Sequence, residues 1–304
     1  MFQELLVLNL ASRSIARIDL TDGSVTTVLS EVGPVPDGIV YDQTAGRIYW
    51  TNMGVPDFDP ALPLDDNNYD FSPKNGSLES AALDGTDRKQ VLPVGALTTG
   101  KQLDADFVAG QLYWSDREGH RVSRVALDGT GLTDLVVNPA TGDKAEECVG
   151  IAIDPAGNAL YWTQKGPAKG GRGRIFRANL VMPEGQTAAA RTDIEVLWDR
   201  LPEPIDLWLD TTNGYLYWTD RGAEPAGNTL NRAPVPARGE PGDDPEILAR
   251  GFAEAIGLAV DLEAGLAYVA DLGGSVRAVA LDGSSDSVIA KFEGQSLTGI
   301  VGVQ

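Results

Sequence analysis

Five near-copies of one short strand run through the chain and constrain its architecture more than any other feature. They are Ile48-Tyr49-Trp50-Thr51-Asn52, Leu112-Tyr113-Trp114-Ser115-Asp116, Leu160-Tyr161-Trp162-Thr163-Gln164, Leu216-Tyr217-Trp218-Thr219-Asp220 and Ala267-Tyr268-Val269-Ala270-Asp271. Their tyrosines lie 64, 48, 56 and 51 residues apart. That period fits a blade of four short strands better than any helical repeat, and aromatic and β-branched residues suit half-buried strands. Each copy follows an apolar stretch ending in Asp, such as Gly150-Ile151-Ala152-Ile153-Asp154. Several precede an alternating strand closed by Asp-Gly, as in Val276-Arg277-Ala278-Val279-Ala280-Leu281-Asp282-Gly283. Asp-Gly marks a hairpin because Gly takes positive φ without steric cost. The unit is therefore inner strand, Tyr-Trp strand, third strand, turn and outer strand, and no long amphipathic helix interrupts it.

The two ends complete the count. Residues 297–301 read as an inner strand with nothing after it, and 5–9 followed by 15–20 read as a unit lacking its inner strand. Joined, they predict a sixth blade closed by both termini, which removes open sheet edges. The expectation is an all-β, six-bladed β-propeller of four-stranded blades, a single domain over residues 1–304.

Composition narrows the function classes. The 304 residues carry 44 Asp and Glu against 24 Lys and Arg, a net charge of −20, which argues against nucleic-acid or anionic-membrane surfaces. A hydrophobic fraction of 42% with 22% charged residues argues for a folded chain. No run approaches the roughly 18 apolar residues of a membrane span, and residues 1–10 lack a signal-peptide pattern. Cys148, the only cysteine, can form no intrachain disulfide, so a cytoplasmic location is expected. The oligomeric state is left open.

The Tyr-Trp-Thr-Asp strands resemble the YWTD propellers of lipoprotein-receptor ectodomains over essentially the whole chain. The receptor forms sit among disulfide-rich modules that this chain lacks. It is more similar to free-standing microbial propellers, through Tyr49-Trp50-Thr51-Asn52-Met53-Gly54, Asp116-Arg117-Glu118-Gly119, Tyr161-Trp162-Thr163-Gln164-Lys165-Gly166-Pro167 and Leu201-Pro202-Glu203-Pro204-Ile205-Asp206. Relatives of that group occur in fungal natural-product pathways, and some resemble cofactor-free cyclases that promote hetero-Diels–Alder closure. The resemblance thus implies an enzyme of that kind.

The repeat serves as its own control in locating a site. Loops at one rim of a propeller bring polar groups from several blades together. Equivalent inner-strand positions read Gly38, Gln102, Gly150, Asp206, Gly257 and Gly299; glycines suit close backbone approach, so Gln102 and Asp206 break the pattern. One position earlier, Asp37, Lys101 and Thr298 are polar where Val149, Ile205 and Ile256 are not. Lys101 and Asp206 are the expected proton-transfer pair, since desolvation moves both groups towards useful ranges; the competing reading is a purely structural ion pair across the channel. His120, the only histidine, is a third acid–base candidate, although its turn also suits a plain surface role. Asp37, Asn52, Gln102, Glu147, Lys165, Arg221 and Thr298 are candidate substrate contacts. Asn52 and Gln164 stand where other copies have Asp and can equally hold neighbouring amides. Cys148 has no sequence-adjacent base and reads as a packed residue.

Residues 54–76 form an unusually long insert with Pro56, Pro60, Pro63 and Pro73, acids Asp57, Asp59, Asp65, Asp66 and Asp70, and aromatics Phe58, Tyr69 and Phe71. Prolines and aromatics suggest an ordered flap over the rim, and the acids lack an EF-hand spacing. Inserts at 165–174 and 234–245 read as surface elaborations. No nucleotide-binding glycine motif, zinc set or Gly-x-Ser-x-Gly elbow is present, so no cofactor is expected.

Three functions follow in order. The first is a cofactor-free lyase or cyclase acting on a small-molecule substrate. The second is a metal-dependent lactonase-like hydrolase holding a divalent ion such as calcium on Asp37, Asp206 and Glu147. The third is a non-catalytic protein-binding propeller.

Overall fold

The computed structural model describes residues 1–61 and 68–304. Six four-stranded antiparallel sheets follow one another around a ring, the inner strand of each packed against those of its two neighbours. Blade one comprises Pro36–Asp42, Arg47–Asn52, Gly76–Ala82 and Lys89–Leu97; blade two Gly100–Asp106, Gln111–Asp116, Arg121–Ala126 and Thr133–Val137. Blade three comprises Cys148–Asp154, Ala159–Gln164, Gly173–Asn179 and Glu195–Leu201; blade four Pro204–Asp210, Tyr215–Asp220, Thr229–Pro234 and Glu246–Arg250. In blade five the strands are Ala255–Asp261, Leu266–Asp271, Ser275–Ala280 and Asp286–Lys291. Blade six takes its inner strand, Leu297–Val303, from one end of the chain and Glu4–Asn9, Ser14–Asp19 and Val25–Ser30 from the other. The sequence expectation of six blades closed by both termini is met. A short 3₁₀ turn, Lys144–Glu146, is the only helical element among the described residues.

Each letter of the repeat has a physical task. Trp50, Trp114, Trp162 and Trp218 are buried between sheets, where a large apolar ring contributes about 1.5–3 kcal/mol or more on leaving water. The hydroxyl after Trp clips one blade to the next. Thr51 Oγ1 accepts from Gly38 N at 2.9 Å in its own blade and donates to Lys101 O at 2.6 Å in blade two. Thr163 and Thr219 repeat the clip onto Ile205 O (2.8 Å) and Ile256 O (2.6 Å), and Ser115 donates to Gly150 O at 3.0 Å. Thr298 Oγ1 donates to Pro36 O at 2.8 Å and so ties blade six to blade one. The closing aspartate gathers amides of the turn above: Asp116 accepts from Thr98, Thr99 and Gly119, and Asp220 from Glu203 and Gly222.

The glycine column also finds its reason. A Cβ on Gly38, Gly150, Gly257 or Gly299 would lie 2.6, 2.1, 2.3 or 2.4 Å from the main chain of the next inner strand. Backbones meet there too closely for any side chain.

Candidate functional site

Two rings of six residues line the upper mouth of the central channel. The upper ring is the residue following each Tyr-Trp strand: Leu10, Met53, Arg117, Lys165, Arg221 and Leu272. Beneath it stands the column Asp37, Lys101, Val149, Ile205, Ile256 and Thr298. Most of these residues line a half-open chamber of about 300 Å³, to which Pro56, Tyr69 and Phe71 also contribute. The expected flap is present there as a two-stranded hairpin, Asp57–Phe58 against Tyr69–Asp70. Its base is fastened by Asn75, which both donates to Val55 O (2.8 Å) and accepts from Val55 N (3.1 Å). Thr99 Oγ1 donates to Phe71 O at 3.0 Å, and the Arg117 guanidinium lies over the Phe71 ring at 5.1 Å. Pro63, Asp65 and Asp66 of the same insert lie outside the described residues.

On the chamber floor Lys101 Nζ pairs with Asp37 Oδ2 and lies 3.6 Å from Met53 Sδ. Gln102 Nε2 donates to Asp37 Oδ1 at 3.0 Å. Burial lowers the Lys101 pKa and the Arg117 and Arg221 charges lower it further, while Asp37 opposes them. Val149, Ile205 and Ile256 form an apolar cluster with Leu272 on the far side of the floor. Lys101 is thus a desolvated ammonium held by one carboxylate at the end of a space lined by apolar side chains and by Arg117, Arg221 and Thr298.

A side pocket of about 60 Å³ shares Tyr69, Phe71, Arg117 and Arg221 with the chamber and adds Glu147 and Lys165. Lys165 Nζ donates to Gly166 O at 3.1 Å and stands 3.6 Å from both Glu147 and Glu203. Its pKa is lowered, chiefly by burial. Glu203, fully buried, also accepts from Arg221 Nε at 2.8 Å and from Lys169 N at 2.8 Å. Arg117 donates through Nε to Glu118 at 2.7 Å.

The structure therefore brings together Asp37, Lys101, Glu147, Lys165, Arg221 and Thr298 at one end of the channel, and Gln102, which lines the lower chamber, reaches Asp37 from below. Three expectations are corrected, those for Asp206, His120 and Asn52. Asp206 does not share a cavity with Lys101: one position further along its strand, about 3.3 Å down the axis, it lines a separate lower chamber of about 450 Å³ with Gln102 and Asp104. There it crosslinks strands, accepting from Leu207 N at 2.9 Å and Leu258 N at 3.0 Å, and burial raises its pKa well above the usual carboxylate range. His120 lines neither chamber. It occupies a tight turn with φ of 53°, its amide donating to Arg117 O at 3.1 Å. Asn52 is enclosed in the wall of blade one, its Nδ2 donating to Ser77 Oγ (3.0 Å) and Glu79 Oε1 (2.9 Å). Cys148 is buried and its thiol pushed up to about 12, as befits a packed residue.

The proposed metal set is not assembled, because Asp37, Asp206 and Glu147 line three different cavities. Among the described residues no three His, Cys, Asp or Glu side chains come together in a metal-binding group. Among the same residues no helix is long and apolar enough to cross a membrane.

Arg117 and Glu203 were missed by sequence reasoning. Arg117 was findable, since it occupies the same repeat position as Lys165 and Arg221; Glu203 carries no signal, because only the fold places it beneath them.

The chain is 41% identical over 300 residues to low-density lipoprotein receptor-related protein 1 of Pyricularia oryzae, covering 92% of this chain and 89% of that one. It belongs to the YWTD, lipoprotein-receptor-like propeller family. A second relative of this family, the 3-hydroxyacyl-CoA dehydrogenase-like protein LAM1 of Cochliobolus heterostrophus, is 39% identical over 282 residues, covering 88% of this chain but 56% of that protein. This YWTD propeller thus spans little more than half of that relative. Among solved structures, a chain of the nidogen/laminin complex superposes with a TM-score of 0.70 at 19% identity, over 98% of this chain and 97% of that one. A gluconolactonase of Xanthomonas campestris gives 0.63 at 14%, over 91% and 82%; both show the shared fold. No family model matches the chain.

Proposed function

We propose that this YWTD propeller is a cytoplasmic small-molecule enzyme of lyase or cyclase type that works without a cofactor in the upper chamber. The observation that carries the reading is a buried ammonium, Lys101, fixed by Asp37 on the floor of a half-open, largely apolar space. A substrate carbonyl resting over Nζ would accept a hydrogen bond from it. Because Lys101 is itself buried, such a bond is stronger than one made in bulk water. Its lowered pKa makes the ammonium a readier proton donor, and Gln102 keeps the Asp37 carboxylate turned towards it. Ring closure needs little more than polarisation of one end and confinement of both reacting ends, and confinement alone can supply several kcal/mol. The hetero-Diels–Alder activity implied by the sequence resemblance is of this kind.

The test begins with cells deleted for this chain. The compound that accumulates is supplied to the purified protein, and the product mass is recorded. Cyclisation leaves the mass unchanged or joins two reactants; lyase action removes a neutral fragment. Lys101→Met should lower turnover about 100-fold or more. Because it leaves the buried Asp37 carboxylate unpaired, rates are read below the variant's own melting transition. The Asp37→Asn, Lys101→Met double variant, which leaves no buried charge behind, should be as slow. Gain of one water would establish a hydrolase instead, and absence of both accumulation and conversion would favour a binding propeller.

A further inference from the structure

The upper ring is not evenly built. Going round the axis, blades two, three and four contribute Arg117, Lys165 and Arg221, while blades five, six and one contribute Leu272, Leu10 and Met53. One half of the mouth is cationic and the other apolar, in a chain whose net charge is −20. The cations are held by carboxylates: Arg117 by Glu118 and Arg221 by Glu203, each through Nε, Arg221 also by Glu254 at 3.5 Å, and Lys165 between Glu147 and Glu203. Such anchoring fixes their direction at little entropic cost on binding. The side pocket is lined by Arg117, Lys144, Lys165 and Arg221 against Glu118 and Glu147, so cations outnumber acids there. The cationic half opens onto the side pocket of about 60 Å³, room for one carboxylate-sized group, and the apolar half walls the chamber of about 300 Å³, room for a small hydrocarbon skeleton.

We infer that the upper mouth binds an amphipathic organic anion, its acidic group in the side pocket between Arg117 and Lys165 and its apolar body in the chamber above Lys101. This rests on the reading of that chamber as the substrate site and adds the chemical class of the guest. Guanidinium and ammonium donors converging on one small pocket match a carboxylate or sulfonate.

Binding of two fluorescent probes tests it: 8-anilinonaphthalene-1-sulfonate, and N-phenyl-1-naphthylamine, which has nearly the same skeleton without the charge. Wild-type protein should bind both. Arg117→Met and Lys165→Met should each weaken the anionic probe about tenfold or more, one lost charged contact, while the neutral probe changes less than twofold. The exposed Lys89→Met serves as control. Circular dichroism melting confirms folding; because Lys165 is buried and its variant could unfold, Arg117→Met and the response of the wild type to 1 M salt carry the result without it. High salt should weaken the anion selectively. Equal losses for both probes, or no loss in Arg117→Met and none in salt, would overturn the assignment of an anion while leaving the chamber intact as a site. Failure of both probes to bind wild-type protein would overturn the chamber as a binding site altogether.

Discussion

The aspartates of the repeat show how one residue can serve the fold at a cost that depends on pH. Asp220 is nearly enclosed, and burial pushes its carboxyl from an ordinary value of 3.8 up to about 7, with the Glu203 and Gly222 amides opposing the shift. Its proton is therefore held more tightly in the folded chain than in the unfolded one. The stability it contributes is complete below about pH 4 and is lost as pH rises through about 7, at up to roughly 1.4 kcal/mol per pH unit. Urea unfolding at pH 4.5 and 7.5 should show a smaller difference between the two pH values for Asp220→Asn than for wild type; equal differences would refute the linkage. At this scale the candidate site was half legible. Asp37 and Lys101 stood out because sister positions in other blades are apolar. Asp206 stood out equally, yet the break in its column marks a strand-to-strand crosslink, since its carboxylate accepts the Leu258 amide of the next inner strand and lines the lower chamber.

Among the elements, the Tyr-Trp strands do most to hold neighbours together. Thr219 illustrates the arrangement: its hydroxyl accepts from Asp206 N at 3.1 Å and donates to Ile256 O at 2.6 Å, joining blades four and five in a buried setting. Thr219→Val keeps the shape and strands both partners, so it should cost roughly 1–3 kcal/mol, whereas Thr219→Ser should cost less. Denaturant midpoints of the two variants check this; a neutral Thr219→Val would show that the clip is incidental. A second set of ties comes from third-strand arginines. Arg177 donates to Pro236 O (2.6 Å) and Ala237 O (2.9 Å), and Arg232 to Leu281 O (2.6 Å), each reaching the adjacent blade. Strands and hairpins were readable because their signals are local: alternation, Tyr-Trp and Asp-Gly. These ties were not, because an arginine's partner across a blade boundary depends on how sheets stack.

For the whole molecule, ring closure is the decisive event. The last inner strand buries Leu297, Ile300 and Val303 against blade six and its neighbours, about 1.5–3 kcal/mol per side chain, and its Thr298 latches onto blade one. Deleting residues 297–304 removes that burial, opens an edge on the strand Glu4–Asn9 and unlatches the ring. Against a typical total stability of about 5–15 kcal/mol, the truncated chain should lose its cooperative thermal transition in near-ultraviolet circular dichroism; a melt within a few degrees of wild type would show that the other five blades hold by themselves. Closure was foreseeable because the two ends of the sequence each carry the strands the other lacks.

The uneven ring at the mouth has one more consequence. A wheel with six like spokes offers a guest six equivalent azimuths, and a flat molecule lying on it would present either side to what lies below. Confining the charge to three consecutive spokes leaves a single azimuth. A guest gripped as proposed would always bring the same end of its body over the Lys101 ammonium, so which of its atoms is polarised there would be set by the order in which the blades succeed one another.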